Sequence, residues 1–101
     1  MMYVCVQRTT EEEDEPNLIY SELDDNRLEC RRVEFYHDGL CSAYGGVHGR
    51  EEALSREPFP EDLRTLNRPG EVEARAIPGA LFQEMWGQAQ ERAGGFFGMF
   101  A

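Results

Sequence analysis

The chain of 101 residues carries 20 acidic and 10 basic side chains, which give a formal net charge of −10 and an isoelectric point of about 4.5. This length predicts a single domain with one modest hydrophobic core. The charge argues against direct binding to nucleic acids or to anionic membranes, because both require a basic protein surface.

The first predicted element is a strand over Met2–Arg8, in which Tyr3 and Cys5 alternate with Val4 and Val6. A loop follows whose like charges repel one another and stay hydrated. It is either a solubilising connection or an anionic recognition loop for a basic partner. Its five consecutive acids are Glu11, Glu12, Glu13, Asp14 and Glu15.

Residues 17–44 predict three antiparallel strands and contain the strongest turn signal, Asp38-Gly39. Asp-Gly favours a two-residue type I′ hairpin, because both central residues need positive φ. That turn places Phe35 opposite Ser42 and Val33 opposite Tyr44. Side chains alternate along a strand, so one predicted apolar face contains Val33, Phe35, Leu40 and Tyr44. The opposite predicted face contains Glu34, Tyr36, Cys41 and Ala43.

The second strand of the chain is Leu18–Leu23, and the turn after it contains Asp24, Asp25 and Asn26. The third strand changes phase between Cys30 and Val33. A bulge near Arg31 and Arg32 would restore one continuous buried face. The two arginines are predicted to pair with Glu22, Glu29 or Glu34, and an exposed pair of this kind contributes at most about 1 kcal/mol.

The second half of the chain has weaker signals until its end. The glycine-rich residues 45–49 lack the spacing of a phosphate-binding loop. A short helix is predicted over 61–66 and an edge strand over 71–77. The best helix covers 78–93, with Trp86 in its apolar stripe and Gly94 as a stop.

Together these elements predict an α+β fold. We expect an antiparallel sheet of four or five strands, one long C-terminal helix packed on one face, and a short helix in the connection. Residues 1–93 form the domain, and residues 94–101 form a tail rich in Gly and Phe. Phe96, Phe97 and Phe100 of this tail could dock on the domain itself, join a second copy in a homodimer, contact a partner, or stay disordered.

Three cysteines, Cys5, Cys30 and Cys41, are an odd number without a C-x-x-C pair. They are expected to be reduced and buried, as in a cytoplasmic protein. No secretory signal and no membrane span is predicted. His37, Asp38, Cys41 and His48 are the strongest candidates for chemistry, but their spacing is poor for zinc. An acidic protein also disfavours a catalytic thiolate. We therefore expect no metal, no cofactor and no catalytic residue.

Three segments carry a resemblance to a known family. They are DEPNLIYSELDDNRLECRRVEFYHDG, EPFPEDLRTLN and PGEVEARAIPGALFQEMW. With their Glu-Pro, Tyr-Ser-Glu and Asp-Gly motifs, they resemble a family of short acidic bacterial domains of unknown function. The resemblance covers residues 15–86. It implies a compact α+β domain and transfers no catalytic residue.

Two functions from different classes are compatible with this sequence. The first is a non-enzymatic binder, inhibitor-like or immunity-like, that docks on a basic protein surface such as that of a toxin, nuclease or defence-system component. Its predicted binding residues are the five acids of the loop, Asp24, Asp25, Phe96, Phe97 and Phe100. The alternative is a small enzyme with a cleft between sheet and helix.

Overall fold

The computed structural model describes residues 1–10, 12 and 14–98, and for residues 93–98 the description is limited to the backbone. The strands are β1 (Met2–Arg8), β2 (Leu18–Leu23), β3 (Glu29–Phe35), β4 (Cys41–Gly45) and β5 (Val72–Ala76). They form one antiparallel sheet in the order β4-β3-β2-β1-β5, and the helix α1 (Gly79–Gly98) packs on one face. The predicted α+β fold is therefore confirmed.

The core between sheet and helix is built from residues that face each other across four strands. Cys5 pairs with Tyr20, Tyr20 with Val33, and Val33 with Ala43, so all four point to the same face of the sheet. They pack against three helix residues at positions i, i+4 and i+7, namely Phe82, Trp86 and Ala89. Within the described part of the chain, no helix is long and apolar enough to cross a membrane.

The helix ends later than the sequence indicates. It continues through Gly94 to Gly98, so the predicted stop is wrong and the predicted domain boundary at residue 93 falls inside α1. A helical glycine costs only about 1 kcal/mol relative to alanine, which is too little to guarantee an end. Phe100 lies outside the described residues.

The hairpin between β3 and β4 differs from the predicted type I′ turn by one residue in register. Gly39 alone has positive φ, at +86°, and the Gly39 amide donates to the Tyr36 carbonyl while the Tyr36 amide donates to the Leu40 carbonyl. This is a three-residue loop with a glycine bulge. Phe35 therefore pairs with Cys41, and Val33 with Ala43. The slip moves Cys41 and Ala43 to the helix face and Tyr44 to the other face, and it leaves Leu40 66% exposed.

The predicted bulge is present, but it lies at Cys30, one residue before the predicted position at Arg31 and Arg32. Glu22 pairs with Arg31 but Leu23 pairs with Glu29, so Cys30 is the extra residue of β3. Gly45 of β4 lies against the bulge in the neighbouring strand, because a Cβ atom at this position would clash with the Cys30 carbonyl oxygen. Only glycine fits there.

A long connection covers the second face of the sheet, which we call the outer face. The strap, defined as residues 50–69, crosses from β4 at one edge to β5 at the other and contains two 3₁₀ turns, Glu51–Ala53 and Leu63–Leu66. The second replaces the predicted helix over 61–66. Val4, Ser21 and Leu23 of the outer face are fully buried. Both faces of the sheet are therefore covered, although the sequence predicted a cover on one face only.

Replacing Trp86 by alanine should lower the free energy of unfolding by about 3–5 kcal/mol, the range for deleting a large core aromatic. Trp86 is only 7% exposed. Denaturant titration measures the loss, and Glu84→Ala on the exposed side of α1 is the control. A loss below about 1 kcal/mol for Trp86→Ala would contradict the described core.

Gly45→Ala and Gly39→Ala form a matched pair, because both residues have a φ of +86°. At Gly39 no atom lies within 4 Å of the added Cβ, so only the backbone penalty of about 1–2 kcal/mol is expected. At Gly45 the clash with the Cys30 carbonyl should add about 1–3 kcal/mol. Equal losses in thermal or denaturant unfolding would contradict the close approach at the bulge.

Candidate functional site

The acidic loop joins β1 to β2 and is held at its base. Glu15 Oε2 accepts a hydrogen bond from Thr10 Oγ1 at 3.0 Å and lies 3.9 Å from Arg8 Nη2. Glu12 and Asp14 are exposed. Glu11 and Glu13 lie outside the described residues. The described part of the loop therefore presents two carboxylates to solvent and uses a third to anchor the chain.

Three other parts of the chain meet the acidic loop at the same end of the sheet, which we call the loop end. His37 of the β3–β4 hairpin donates through Nε2 to the Thr10 carbonyl. Arg92 of α1 donates to the Gly39 carbonyl at 3.0 Å, and the Thr9 amide donates to the Glu71 carbonyl at 2.8 Å. The exposed acids described at the loop end are Glu12, Asp14, Asp38, Glu71 and Glu91.

The predicted binding residues Asp24 and Asp25 lie at the opposite end of β2. Six strand residues separate the two ends, a distance of about 20 Å. Asp24 is occupied by the turn, since its Oδ1 accepts from the amides of Asn26 at 2.8 Å and Leu28 at 3.0 Å. Asp25 is exposed. The structure therefore does not bring these two acids together with the acidic loop.

The predicted tail residues follow the loop end in the chain. The backbone of Phe96 and Phe97 is part of α1, but the structure does not describe their side chains. Phe100 lies wholly outside the described residues. The loop end also contains two exposed residues, Leu40 and Glu91, that the sequence did not predict as site residues. Only the sheet topology brings them beside the acidic loop, so no local pattern could have identified them.

All three predicted arginine pairs form, and they lie inside the fold rather than on its surface. On the helix face, Arg31 binds both carboxylate oxygens of Glu22, at 2.7 and 2.6 Å. Its guanidinium lies over the rings of Phe82 and Trp86, 4.9 and 4.7 Å from their centroids. The hydrogen bonds from Arg31 lower the pKa of the Glu22 carboxyl, although burial acts in the opposite direction. This cluster ties β2 and β3 to α1.

On the outer face, Arg32 joins two buried carboxylates. It donates to Glu29 Oε1 at 2.7 and 3.0 Å and to Glu34 Oε2 at 3.0 Å. Glu29 also accepts from Ser21 Oγ at 2.6 Å, and Glu34 accepts from the Tyr36 hydroxyl at 2.9 Å. Burial, together with Glu34, raises the pKa of Tyr36 to about 12. The hydrogen bonds of this network therefore join side chains of β2 and β3 on the outer face.

The residues predicted as candidates for chemistry do not converge. His37 lies at the loop end, whereas His48 follows the other end of β4 and contacts Trp86 edge-on at 5.2 Å between centroids. Cys41 points toward α1, with its Sγ 3.9 Å from the Ala89 carbonyl oxygen. Cys5, Cys30 and Cys41 are all free, and only Cys5 is fully buried. Among the described residues, no group of three or more His, Cys, Asp or Glu could hold a metal ion.

A cavity of about 400 Å³ opens beside β5, away from the helix. It is lined by residues of β1, of β5 and of the turn before β5, including Gln7, Asn67 and Glu73. The space between sheet and helix, where an enzyme cleft was considered, is filled by Phe82, Trp86 and Ala89, which are at most 7% exposed.

The two arginine clusters determine where the excess charge lies. Glu22, Glu29, Glu34, Arg31 and Arg32 together carry one net negative charge. Nine of the ten surplus negative charges of the chain therefore belong to side chains outside these clusters.

Residues 2–91 match a family model described as a domain of unknown function, DUF6881. Neither a curated protein nor a solved structure matches the chain. The match covers the whole sheet and α1 as far as Glu91.

The ion pair of Glu22 should give the stability of the domain a measurable pH dependence. Because its folded pKa is lowered below the ordinary value of 4.5, its contribution is present above that pH and is lost as the pH falls through the lowered pKa. The stability difference between the wild type and Glu22→Gln should therefore shrink as the pH falls below about 4.5. Urea unfolding at several pH values measures it, with the exposed Glu84→Gln as control. A difference independent of pH would contradict the Glu22–Arg31 pair.

Proposed function

The chain belongs to the DUF6881 family, and we propose that it is a small acidic binding protein that docks, without catalysis, on a basic surface of another protein. It would act as an inhibitor or immunity protein against a basic toxin, nuclease or defence-system component. The observation that carries it is the location of the charge: nine of ten surplus negative charges lie outside the buried arginine clusters.

Such a charge distribution has two effects on a basic partner. Opposite charges accelerate the diffusional encounter, and they suppress wrong partners through repulsion. If the partner acts on nucleic acid, an acidic domain also competes with the anionic substrate for the same basic surface. The chain needs no catalytic group for this action.

The loop end is the contact surface that we propose. It combines the exposed carboxylates of Glu12, Asp14 and Glu91 with the exposed side chain of Leu40. An interface needs apolar contacts as well as charge, and Leu40 supplies one at this end. Asp25 lies about 20 Å away and contributes to the long-range field rather than to the same contact.

The alternative function, an enzyme with a cleft between sheet and helix, has no observation in its favour, because packed core residues fill that space. Dimerisation through the tail stays a prediction. Three free thiols fit a reducing compartment, and we therefore propose that the protein acts in the cytoplasm.

The function is tested by isolating the partner from the source organism. The full chain, immobilised at low salt, should retain a basic protein that elutes as the salt concentration is raised to 1 M. The reason is that the Debye length falls from about 10 Å at 0.1 M to about 3 Å at 1 M. Recovery of a partner without a basic surface, or binding insensitive to salt, would contradict the proposal.

Neutralising the loop should then slow association with the purified partner. We expect conversion of Glu11, Glu12, Glu13, Asp14 and Glu15 to their amides to lower the association rate constant by about tenfold in stopped flow, with a smaller change in dissociation. The matched control carries five amides at exposed acids away from the loop end and has the same net charge. Its substitutions are at Asp25, Glu51, Glu52, Glu57 and Glu84.

The comparison separates the position of the charge from its amount. A slower rate in the loop variant alone supports docking at the loop end. Equal rates in the two variants would show that only the total charge matters and would remove the loop end as the contact surface.

A further inference from the structure

The strap covers the outer face without contributing a buried residue of its own. Its apolar side chains, Leu54, Phe59, Leu63 and Leu66, are only half-buried, while Val4, Ser21 and Leu23 beneath have no exposed surface. Segments with few buried apolar contacts open at lower free energy than the core they cover. The strap therefore has the composition of a separate unit of low stability.

The strap is attached to the sheet by hydrogen bonds at a few places. Arg32 donates to the Ala53 carbonyl at 2.6 Å, and the Ser55 amide donates to Glu29 at 2.9 Å. Phe59 is bound on both sides, since its amide donates to the Arg27 carbonyl and its carbonyl accepts from Arg27 Nε, each at 2.9 Å. At the far end, Asn67 Oδ1 accepts from the Ala74 amide at 2.7 Å, and the backbones of Arg68 and Val72 exchange hydrogen bonds of 2.8 and 2.9 Å.

Both ends of the strap have backbone geometry suited to a hinge. Gly49 and Gly70 have φ values of +62° and +75°, and neither has an atom within 4 Å of its Cβ position. Glycine adopts left-handed and right-handed φ with little penalty, so the backbone at both positions can change conformation when the strap opens. Arg50, next to Gly49, has a φ of +58°, which is unfavourable for a residue with a Cβ atom.

We propose that the strap detaches from the sheet as one unit, turning about Gly49 and Gly70, while the five strands and α1 stay folded. The open form uncovers an apolar strip of the outer face that includes Val4, Leu23 and Ala74. This conformational device is independent of the proposed binding function, which uses the loop end.

Hydrogen exchange of the full chain, followed by NMR, tests the proposal. The amides of Ser55, Phe59 and Ala74 should exchange through one shared opening, at least tenfold more populated than the opening that exposes β2 and β3. Protection of these three amides equal to that of β2 and β3 would overturn the proposal, because the strap would then open only on global unfolding.

Arg27→Asn tests whether the strap moves as a unit. Asparagine tolerates the left-handed φ of +62° at this position, and the change removes the bond to the Phe59 carbonyl and the ion pair with Glu61, 3.5 Å away. The exchange of Ser55 and Ala74, which Arg27 does not contact, should accelerate about tenfold together with that of Phe59. The control Arg64→Gln disrupts two side-chain hydrogen bonds to Asp62 within the strap and should change the exchange of none of the three amides by more than about twofold. Acceleration of Phe59 alone would show local fraying and overturn the proposal.

Discussion

The bulge at Cys30 is the constraint on which both halves of the structure depend. In a regular strand, Glu29 and Arg32 would lie on opposite faces, because side chains alternate. The extra residue places them on the same face, where they form the buried outer network. Arg31 then points to the helix face and binds Glu22 beneath α1. With this one inserted residue, Arg31 contacts α1 on the helix face and Arg32 contacts the strap on the outer face.

Buried ion pairs of this kind add little net stability, but they strongly favour one strand register over the alternatives. The free energy needed to desolvate two charges is about as large as the free energy that their attraction provides. Removing one partner, in contrast, leaves an unpaired buried charge, which costs several kcal/mol. The arginine clusters consequently penalise any register of β2 and β3 that separates Arg31 from Glu22 or Arg32 from Glu29.

The sequence predicted the elements whose signals are local. β1 and β2 have the predicted bounds, and the phase break in β3 indicated the bulge to within one residue. The hairpin register was missed because Asp-Gly also suits a loop in which glycine alone takes positive φ. The strap was missed because an irregular segment contacts the sheet through isolated, half-buried residues such as Phe59 and has no periodic pattern. The loop end could not be predicted either, since it joins segments that only the sheet order brings together.

The strand order also determines how the chain must assemble. Strands β2, β3 and β4 follow one another directly and can pair as soon as they are synthesised, whereas Cys5 of β1 pairs with Arg75 of β5, seventy residues later. Closing so long a loop costs conformational entropy before any contact is gained, which slows folding. Until β5 emerges from the ribosome, β1 is an edge strand with unpaired backbone groups, and this nascent chain is open to pairing with other chains. The loop after β1, with its five consecutive acids, is synthesised well before β5 and is therefore present during that interval.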